Sequence, residues 1–306
     1  MIYDTAAPST LSDINNRSIS DADSLLGQYI PIHYHFQMLE DEARMTGFKA
    51  ALNYLIPDGG KVLDMGAGTG VLSFLAAQKA VKVYSVERQA DLVECARDLL
   101  TKNGCGDRVE LVQGDARDYL PPEPVDVVVC EMLHSALLRE KQLEVIQSFK
   151  QRYREKFGEK LPVFIPNASI LGVEPVSADF CFQGYHAPIA FFEDPGALST
   201  RYLSLGEGKP YAILEYQAEN AKKLSFNGVL PIKTDGSFNA LRFITKNILA
   251  MNIEEASTIE WMNMNLILPI KQPIDAKAGD QFQVLFNYDA GGEISSLISS
   301  IEVINL

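Results

Sequence analysis

Three glycines alternate with other residues directly after a short apolar run and an acid, as Asp64, Gly66, Gly68 and Gly70. Because glycine has no Cβ, such a turn lets the backbone bend sharply and approach a ligand closely. A dinucleotide-binding loop usually reads GxGxxG, whereas this order is GxGxG with a carboxylate ahead of it. The loop suits S-adenosylmethionine, which carries an ammonium and a carboxylate in place of a pyrophosphate. The motif therefore predicts a site for this cofactor, with Asp64 holding the cationic amino-acid part directly or through water.

Two further acids follow apolar runs where an adenosine ligand needs hydrogen-bond acceptors. Glu87 lies about 20 residues after the loop, where a carboxylate can accept both ribose hydroxyl protons. Asp115 follows the next run and could accept a proton from the adenine amino group. An acid at a strand end often only caps the next helix. Three acids at successive strand ends together predict cofactor binding.

The elements that must position these residues are short strands alternating with amphipathic helices. Such alternation implies right-handed crossovers and a parallel sheet with helices on both sides. The predicted fold class is therefore a doubly wound, Rossmann-like α/β domain. Its predicted strands are 61–65, 82–86, 109–112 and 125–130, and its predicted helices are 37–56, 71–79, 89–102 and 139–157.

The pattern changes after residue 162, where short apolar runs are broken by Gly, Pro, Asn and Asp. This composition is typical of a mostly antiparallel, barrel-like β domain. The predicted division is a flexible leader at 1–22, a cofactor-binding domain at 23–160 and a β-rich substrate or dimerisation domain at 161–306. Residues 178–210 form a candidate dimerisation arm or acceptor lid. The predicted strands of this half are 163–165, 169–173, 211–216, 266–268, 282–286 and 299–304.

The charge and composition narrow the class of partner. A formal net charge of −13 and a pI near 4.8 disfavour binding to a phosphate backbone. No apolar stretch approaches the ~20 residues of a membrane span, and no secretory signal is visible. The cysteines and histidines show no metal-ligand spacing, so no metal is expected. We therefore expect a cytoplasmic protein with reduced thiols that binds neither nucleic acid nor membrane.

The segment ahead of the glycine loop carries a family resemblance. Residues 35–44 look like the HxxML-DxxR helix of the protein arginine methyltransferases. The resemblance implies that Arg44 grips the cofactor carboxylate and that His35 and Met38 pack around the cofactor. Tyr29 matches the second Tyr of the family's YFxxY motif, whereas Leu25 stands at the first.

The resemblance extends to the stretch after the fourth predicted strand. The family's substrate hairpin carries two glutamates, and Glu131 and Glu140 preserve both at the same separation. The resemblance implies that they hold a guanidinium, and bidentate carboxylates match that planar group. Met132 replaces the family's Trp, and His134-Ser135 replaces Gly-Tyr. Glu140 could instead be an acid in the first turn of the next helix, favoured there by the helix dipole.

The C-terminal half departs from the family's Thr-His-Trp loop. Trp261 aligns with the Trp, but Glu260 occupies the His position. His134 or His186 would have to supply the missing imidazole, although a buried His is more often a structural residue.

Several acceptors remain open. The stretches 29–39 and 131–142 are also similar to bacterial, particularly cyanobacterial, relatives, some of which look like methyltransferases of a protein side-chain amide. The predicted reaction is in-line methyl transfer to a nitrogen acceptor, expected to be a protein side chain as in the arginine methyltransferases. A protein Asn amide or a small molecule is the alternative acceptor. A non-catalytic cofactor-binding regulator is the alternative from another class. A nicotinamide oxidoreductase using the same glycines is disfavoured by the missing GxxG spacing. A homodimer is expected only because members of the resembled family commonly dimerise.

Overall fold

The computed structural model describes residues 30–196 and 201–306, so the predicted leader, Leu25 and Tyr29 lie outside the described residues. Its first half contains a five-stranded, wholly parallel sheet in the order β3-β2-β1-β4-β5. The strands are β1 Lys61–Met65, β2 Lys82–Glu87, β3 Val109–Gln113, β4 Val127–Cys130 and β5 Val163–Ile165. The predicted doubly wound fold class is confirmed.

The helices of this half lie near their predicted places, with two corrections. The helices are α1 Ile32–Glu40, α2 Glu42–Leu55, α3 Val71–Ala77, α4 Ala90–Lys102 and α5 Gln142–Phe157. The single helix expected over 37–56 is wrong, because Asp41 leaves helical geometry and accepts the Arg44 N–H as the N-cap of α2. The helix expected from residue 139 begins only at Gln142, since Ala136, Leu137 and Arg139 have positive φ.

The register of the parallel strands brings their carboxyl ends to one edge. Met65 at the end of β1 pairs with Val86 on one side and with Cys130 on the other. β4 is buried along its whole length, which explains its continuous apolar run. Strand order reverses between β1 and β4, and ligands of open α/β sheets bind beyond the carboxyl ends at such a point. The loops after β1, β2, β3 and β4 therefore surround one location.

The second half is mostly antiparallel, as predicted. Its strands are β6 Ala168–Ala178, β7 Cys181–Phe182, β8 Tyr185–His186, β9 Phe191–Glu193, β10 Tyr202–Ser204, β11 Lys209–Glu215, β12 Lys223–Pro231, β13 Gly236–Asn252, β14 Ser257–Met262, β15 Asn265–Ala276, β16 Gln281–Asp289 and β17 Glu302–Asn305. They form sheets of seven, three and two strands. The strand expected over 299–304 is wrong in its first part, because helix α6 Ile294–Ser300 extends into it. Leu297 on α6 is buried, and the strand begins only at Glu302.

Two features bear on the predicted division of the chain. β5 pairs with β4, so the parallel sheet continues past residue 160 to Ile165. Within 178–210, β9 pairs with β15 and β10 pairs with β6 at the edges of the seven-stranded sheet, whereas β7 and β8 form a separate hairpin. Among the described residues, no helix is long and apolar enough to cross a membrane.

Candidate active site

A cavity opens where the loops after the parallel strands converge. Its wall combines the glycine loop and the ends of β2 and β3 with side chains from α1, α2 and the loop between β4 and α5. The predicted site residues that line it are His35, Met38, Arg44, Gly66, Gly68, Glu87, Asp115, Glu131 and Glu140. Asp64, Gly70 and His134 are not among its lining residues.

The glycine loop is fixed by hydrogen bonds to the neighbouring strand. The N–H groups of Gly66 and Ala67 both donate to the Val86 carbonyl, at 2.9 and 3.0 Å. Gly68 has φ +55°, and a Cβ there would lie 2.8 Å from Cε1 of His35. Gly70 serves a different purpose, since a Cβ there would press on Ala96 and Leu100 of α4. The first glycines therefore shape the cavity, whereas Gly70 permits close helix packing.

Glu87 is buried at the end of β2 with both carboxylate oxygens engaged. Oε2 accepts the Gly68 N–H at 2.9 Å, and Oε1 accepts the Gln89 N–H at 2.8 Å. A carboxylate oxygen has a second lone pair, so each can also accept a proton from a ligand hydroxyl. Glu87 thus ties the glycine loop to β2 and presents acceptors to the cavity.

Asp64 lies beneath the loop rather than in the cavity wall. Its Oδ2 accepts the Ser73 hydroxyl at 2.6 Å, and Ser73 in turn contacts the Ser85 hydroxyl. Burial raises the pKa of Asp64 to about 7. Its Oδ1 is buried without a hydrogen-bond partner among the described residues.

His35 of α1 covers the glycine loop, and Met38 of the same helix lines the cavity. The His35 ring lies over Gly68, and its Nε2 is buried without a partner in the described part of the chain. Burial lowers the pKa of His35, so the neutral ring is favoured. A buried imidazole nitrogen without a partner can form a hydrogen bond with a ligand, as donor or acceptor.

We expect Gly68→Ala to damage both stability and ligand binding. Positive φ disfavours alanine, and the new Cβ would displace His35, so the free energy of unfolding should fall by about 1–3 kcal/mol. S-adenosylhomocysteine should bind at least about tenfold more weakly in calorimetry. Gly104→Ala is the matched control, because Gly104 has φ +70° and a Cβ added there would meet nothing within 4 Å. Equal affinity losses in both variants would contradict this account.

Arg44 joins α2 to the loop after β4. Its guanidinium forms an ion pair with Glu131, and both side chains are largely buried. The same guanidinium lies over the Trp261 ring, with Cζ 5.1 Å from the ring centroid. Trp261 donates its indole N–H to Asp41 at 3.0 Å. Trp261 of β14 and Asp41 at the start of α2 therefore both lie beside the Arg44 guanidinium.

Glu140 lies two residues before α5, so it is not an acid of that helix's first turn. It faces the same cavity as Glu131. Burial raises its pKa to about 7, although the charges of Arg44 and Arg139 favour the anion. A carboxyl group with such a pKa can take up a proton near neutral pH.

Gln142, which no sequence motif singles out, holds the residues on both sides of Glu131. Its Nε2 donates to the Cys130 carbonyl at 2.8 Å, and its Oε1 accepts the Met132 N–H at 2.9 Å. Gln142 is almost fully buried at the start of α5. One amide therefore links the backbone around Glu131 to a position two residues after Glu140. The available signal was a Gln at the start of a helix, on the face that carries most of its apolar residues.

The second half of the chain holds the middle of the β4–α5 loop. The Ala136 N–H donates to Thr245 Oγ1 at 2.7 Å, and the Tyr288 hydroxyl donates to the Ala136 carbonyl at 2.8 Å. Asn263 Nδ2 donates to the Leu133 carbonyl at 2.6 Å. Both halves therefore determine where the two glutamates stand.

Asp115 lines the cavity with a partner that no sequence motif indicates. Arg117 grips its carboxylate with Nε at 3.0 Å and Nη2 at 2.6 Å. These hydrogen bonds hold the pKa of Asp115 below its usual value. Arg117 also lines the cavity, and its position two residues after Asp115 was the only signal in the sequence.

The candidate imidazoles and Glu260 lie away from the two glutamates' cavity. The His134 ring packs edge-on against Phe192, with centroids 5.4 Å apart. His186 is exposed on β8. Glu260 pairs with Lys246 at 2.7 Å and is not a lining residue. The described structure brings none of these three to the cavity wall.

Comparisons with known proteins agree with this geometry. Residues 56–154 match the family described as Methyltransferase domain. An uncharacterized protein of Methanothermobacter thermautotrophicus is 30% identical over 268 residues, covering 88% of this chain and 97% of that protein. Protein arginine N-methyltransferase 2 of Xenopus tropicalis is 29% identical over 215 residues, covering 68% of this chain and 47% of that protein.

A solved structure shares the whole architecture. The PRMT1 enzyme–prozyme heterotetrameric complex of Trypanosoma brucei with AdoHcy matches with a TM-score of 0.68 at 17% identity. The match covers 89% of this chain and 97% of that one. The parallel sheet followed by a mostly antiparallel domain is thus an arrangement found in arginine methyltransferase structures.

Proposed function

Because this chain carries a methyltransferase domain and belongs to the same family as the Methanothermobacter thermautotrophicus protein, we propose that it methylates a nitrogen of a protein side chain. The chain is an S-adenosylmethionine-dependent methyltransferase of the arginine-methyltransferase-like kind. The observation that carries the proposal is that Glu131 and Glu140 face the same cavity as the glycine loop.

The cavity residues fit the cofactor. Bound S-adenosylmethionine supplies an electrophilic methyl group on a sulfonium. Glu87 would accept the ribose hydroxyls, Asp115 the adenine amino group, and Arg44 would bind the carboxylate. The unpartnered Nε2 of His35 and the close approach at Gly68 support this assignment. Met38 and Gly66 would shape the pocket, Gly70 would allow the loop to pack closely against α4, and Asp64 would act from beneath the loop through water.

The two glutamates would hold the acceptor nitrogen. A cationic guanidinium suits two carboxylates of which one already has a counter-ion in Arg44. Glu140 would accept the released proton, since burial raises its pKa to about 7. Positioning of the reacting groups would supply most of the rate, and correct alignment can be worth ~7–11 kcal/mol. His134 is a weaker candidate for the proton acceptor because its ring does not line the cavity.

An Asn amide is the second candidate acceptor. It is neutral, and the pairing of Glu131 with Arg44 reduces the net negative charge that faces the acceptor. In that case Glu131 would orient the amide, and Glu140 in its anionic form would take the amide proton. Two further functions stay open for the same cavity, namely methylation of a small molecule and cofactor-dependent regulation without catalysis.

The remaining expectations stay predictions. These are a homodimer, a cytoplasmic location, kinship with bacterial and cyanobacterial proteins, and a substrate or dimerisation role for residues 161–306. The two relatives described above belong to an archaeon and a frog. The Trypanosoma brucei structure is a heterotetramer, which makes an oligomer of this chain a reasonable expectation.

The test is a transfer assay with methyl-labelled S-adenosylmethionine and lysate of the source organism. We expect a labelled protein band that requires the purified chain and is lost with Glu131→Gln. Mass spectrometry of that band would then distinguish methylarginine from methylasparagine. No labelled protein, together with calorimetric binding of S-adenosylhomocysteine, would contradict a protein acceptor.

A further inference from the structure

Arg117 makes an unusual number of contacts for a side chain at the cofactor cavity. Its guanidinium holds both oxygens of Asp115, and its own backbone N–H donates to Asp115 Oδ1 at 2.9 Å. Its Nη1 reaches Glu144 of α5 at 3.0 Å. Ser148, also on α5, donates its hydroxyl to the Arg117 carbonyl at 2.7 Å. Arg117 is therefore anchored to α5 and fixes the direction of the Asp115 carboxylate.

Beside Arg117, the cavity wall offers a hydrogen-bond acceptor, the Asp115 carboxylate, next to a donor, the Ala116 N–H. Oδ2 of Asp115 accepts one bond from Arg117 and keeps a lone pair for a ligand, whereas Oδ1 already accepts two bonds from Arg117. The neighbouring Ala116 also lines the cavity, and its N–H has no hydrogen-bond partner among residues 30–196 and 201–306. This acceptor–donor order complements a 6-aminopurine, whose edge presents an amino donor beside the N1 acceptor. A 6-oxopurine presents a carbonyl acceptor beside an N1–H donor, so it mismatches at both places.

We propose that Arg117 is a positioning residue that selects a 6-aminopurine, by holding Asp115 so that its carboxylate meets the exocyclic amino group beside the Ala116 N–H. This inference rests on the proposed role of Asp115 toward adenine. A side chain that cannot form the two guanidinium hydrogen bonds would leave the Asp115 carboxylate free to rotate. The selection between purines would then weaken even though Asp115 is still present.

The test compares calorimetric affinities for S-adenosylhomocysteine and S-inosylhomocysteine, which differ only in the group at purine C6 and the proton at N1. We expect the wild type to prefer the adenosyl compound by about 100-fold, since charged hydrogen bonds discriminate strongly. Arg117→Ala should reduce this preference to below about tenfold, mainly by weakening the adenosyl compound. Arg117→Lys should be intermediate, because an ammonium cannot form the bidentate fork.

Arg97→Ala is the matched control. Arg97 is exposed on α4, does not line the cavity and makes no hydrogen bond to Asp115 in the described structure. Its removal should leave the preference between the two ligands unchanged. A wild type without preference, or an Arg117→Ala preference equal to that of the wild type, would overturn the proposal. Should Arg117→Ala fail to fold by circular dichroism, an unchanged preference in Arg117→Lys overturns it. Because these measurements need no acceptor, a failed transfer assay would not affect them.

Discussion

Glu131→Gln is expected to lower methyl transfer to the acceptor protein by roughly 100- to 10,000-fold, the range typical of a lost acid–base or charge-stabilising group. The substitution keeps the shape of the side chain but removes the charge that faces the acceptor. The affinity for S-adenosylhomocysteine should stay the same or rise, because Arg44 loses a competing partner. Rates of label incorporation and calorimetric affinities measure the two effects separately.

Stability should fall less than for an isolated buried ion pair. Arg44 keeps the charges of Glu140 and Asp41 nearby, so we expect a loss of about 1–3 kcal/mol in the free energy of unfolding. Glu260→Gln is the control, since Glu260 lies outside the cavity and pairs with Lys246. Its transfer rate should remain at the wild-type value. A large loss with Glu260→Gln, or none with Glu131→Gln, would refute the assignment of the acceptor site.

Transfer should rise with pH until about pH 7, because burial raises the pKa of Glu140 to about 7 and only its anion can accept a proton. Below that value the rate should fall by about tenfold per pH unit, and above it the rate should level off. The initial rate of label incorporation between pH 5 and 8.5, at saturating cofactor, is the measurement. Asp64 also has a pKa raised to about 7, so Asp64→Asn must retain the rise if Glu140 is its source.

The raised pKa of Glu140 also makes the free energy of unfolding depend on pH. Its folded pKa exceeds the unfolded value of 4.5, so the folded chain binds the proton more tightly. The stabilisation is complete below the unfolded pKa and is lost as the pH rises to about 7. Glu140→Gln should therefore reduce the decline of the unfolding free energy over this window. A transfer profile without a step near neutral pH and an unaltered stability profile would together contradict the shifted pKa.

The cofactor end of the site could be predicted because its determinants are local. Gly66 and Gly68 follow a strand directly, and Glu87 and Asp115 end or follow the next two. Parallel topology then brings these positions to one edge without further information. The placement of Asp64 beneath the loop could not be predicted, because its carboxylate accepts the hydroxyl of Ser73 on α3, which in turn contacts Ser85 on β2.

The acceptor end was predictable only in part. The spacing of Glu131 and Glu140 is visible in the sequence, but the contacts that fix them are distant along the chain. Tyr288 holds Ala136 across 152 positions, and Asn263 holds Leu133 across 130. Pairings of that range leave no periodic signal. The imidazole expected from His134 or His186 stays a prediction that the cavity's lining does not support.

The chain contains a single tryptophan, Trp261, and the Arg44 guanidinium lies over its ring. Indole emission responds to the charges around the ring, so any ligand that shifts Arg44 would change the emission without an added dye. All tryptophan fluorescence of this protein therefore reports on Trp261, at the contact between β14 and the start of α2. Stopped-flow mixing could therefore follow the arrival of each substrate on the unlabelled wild-type chain.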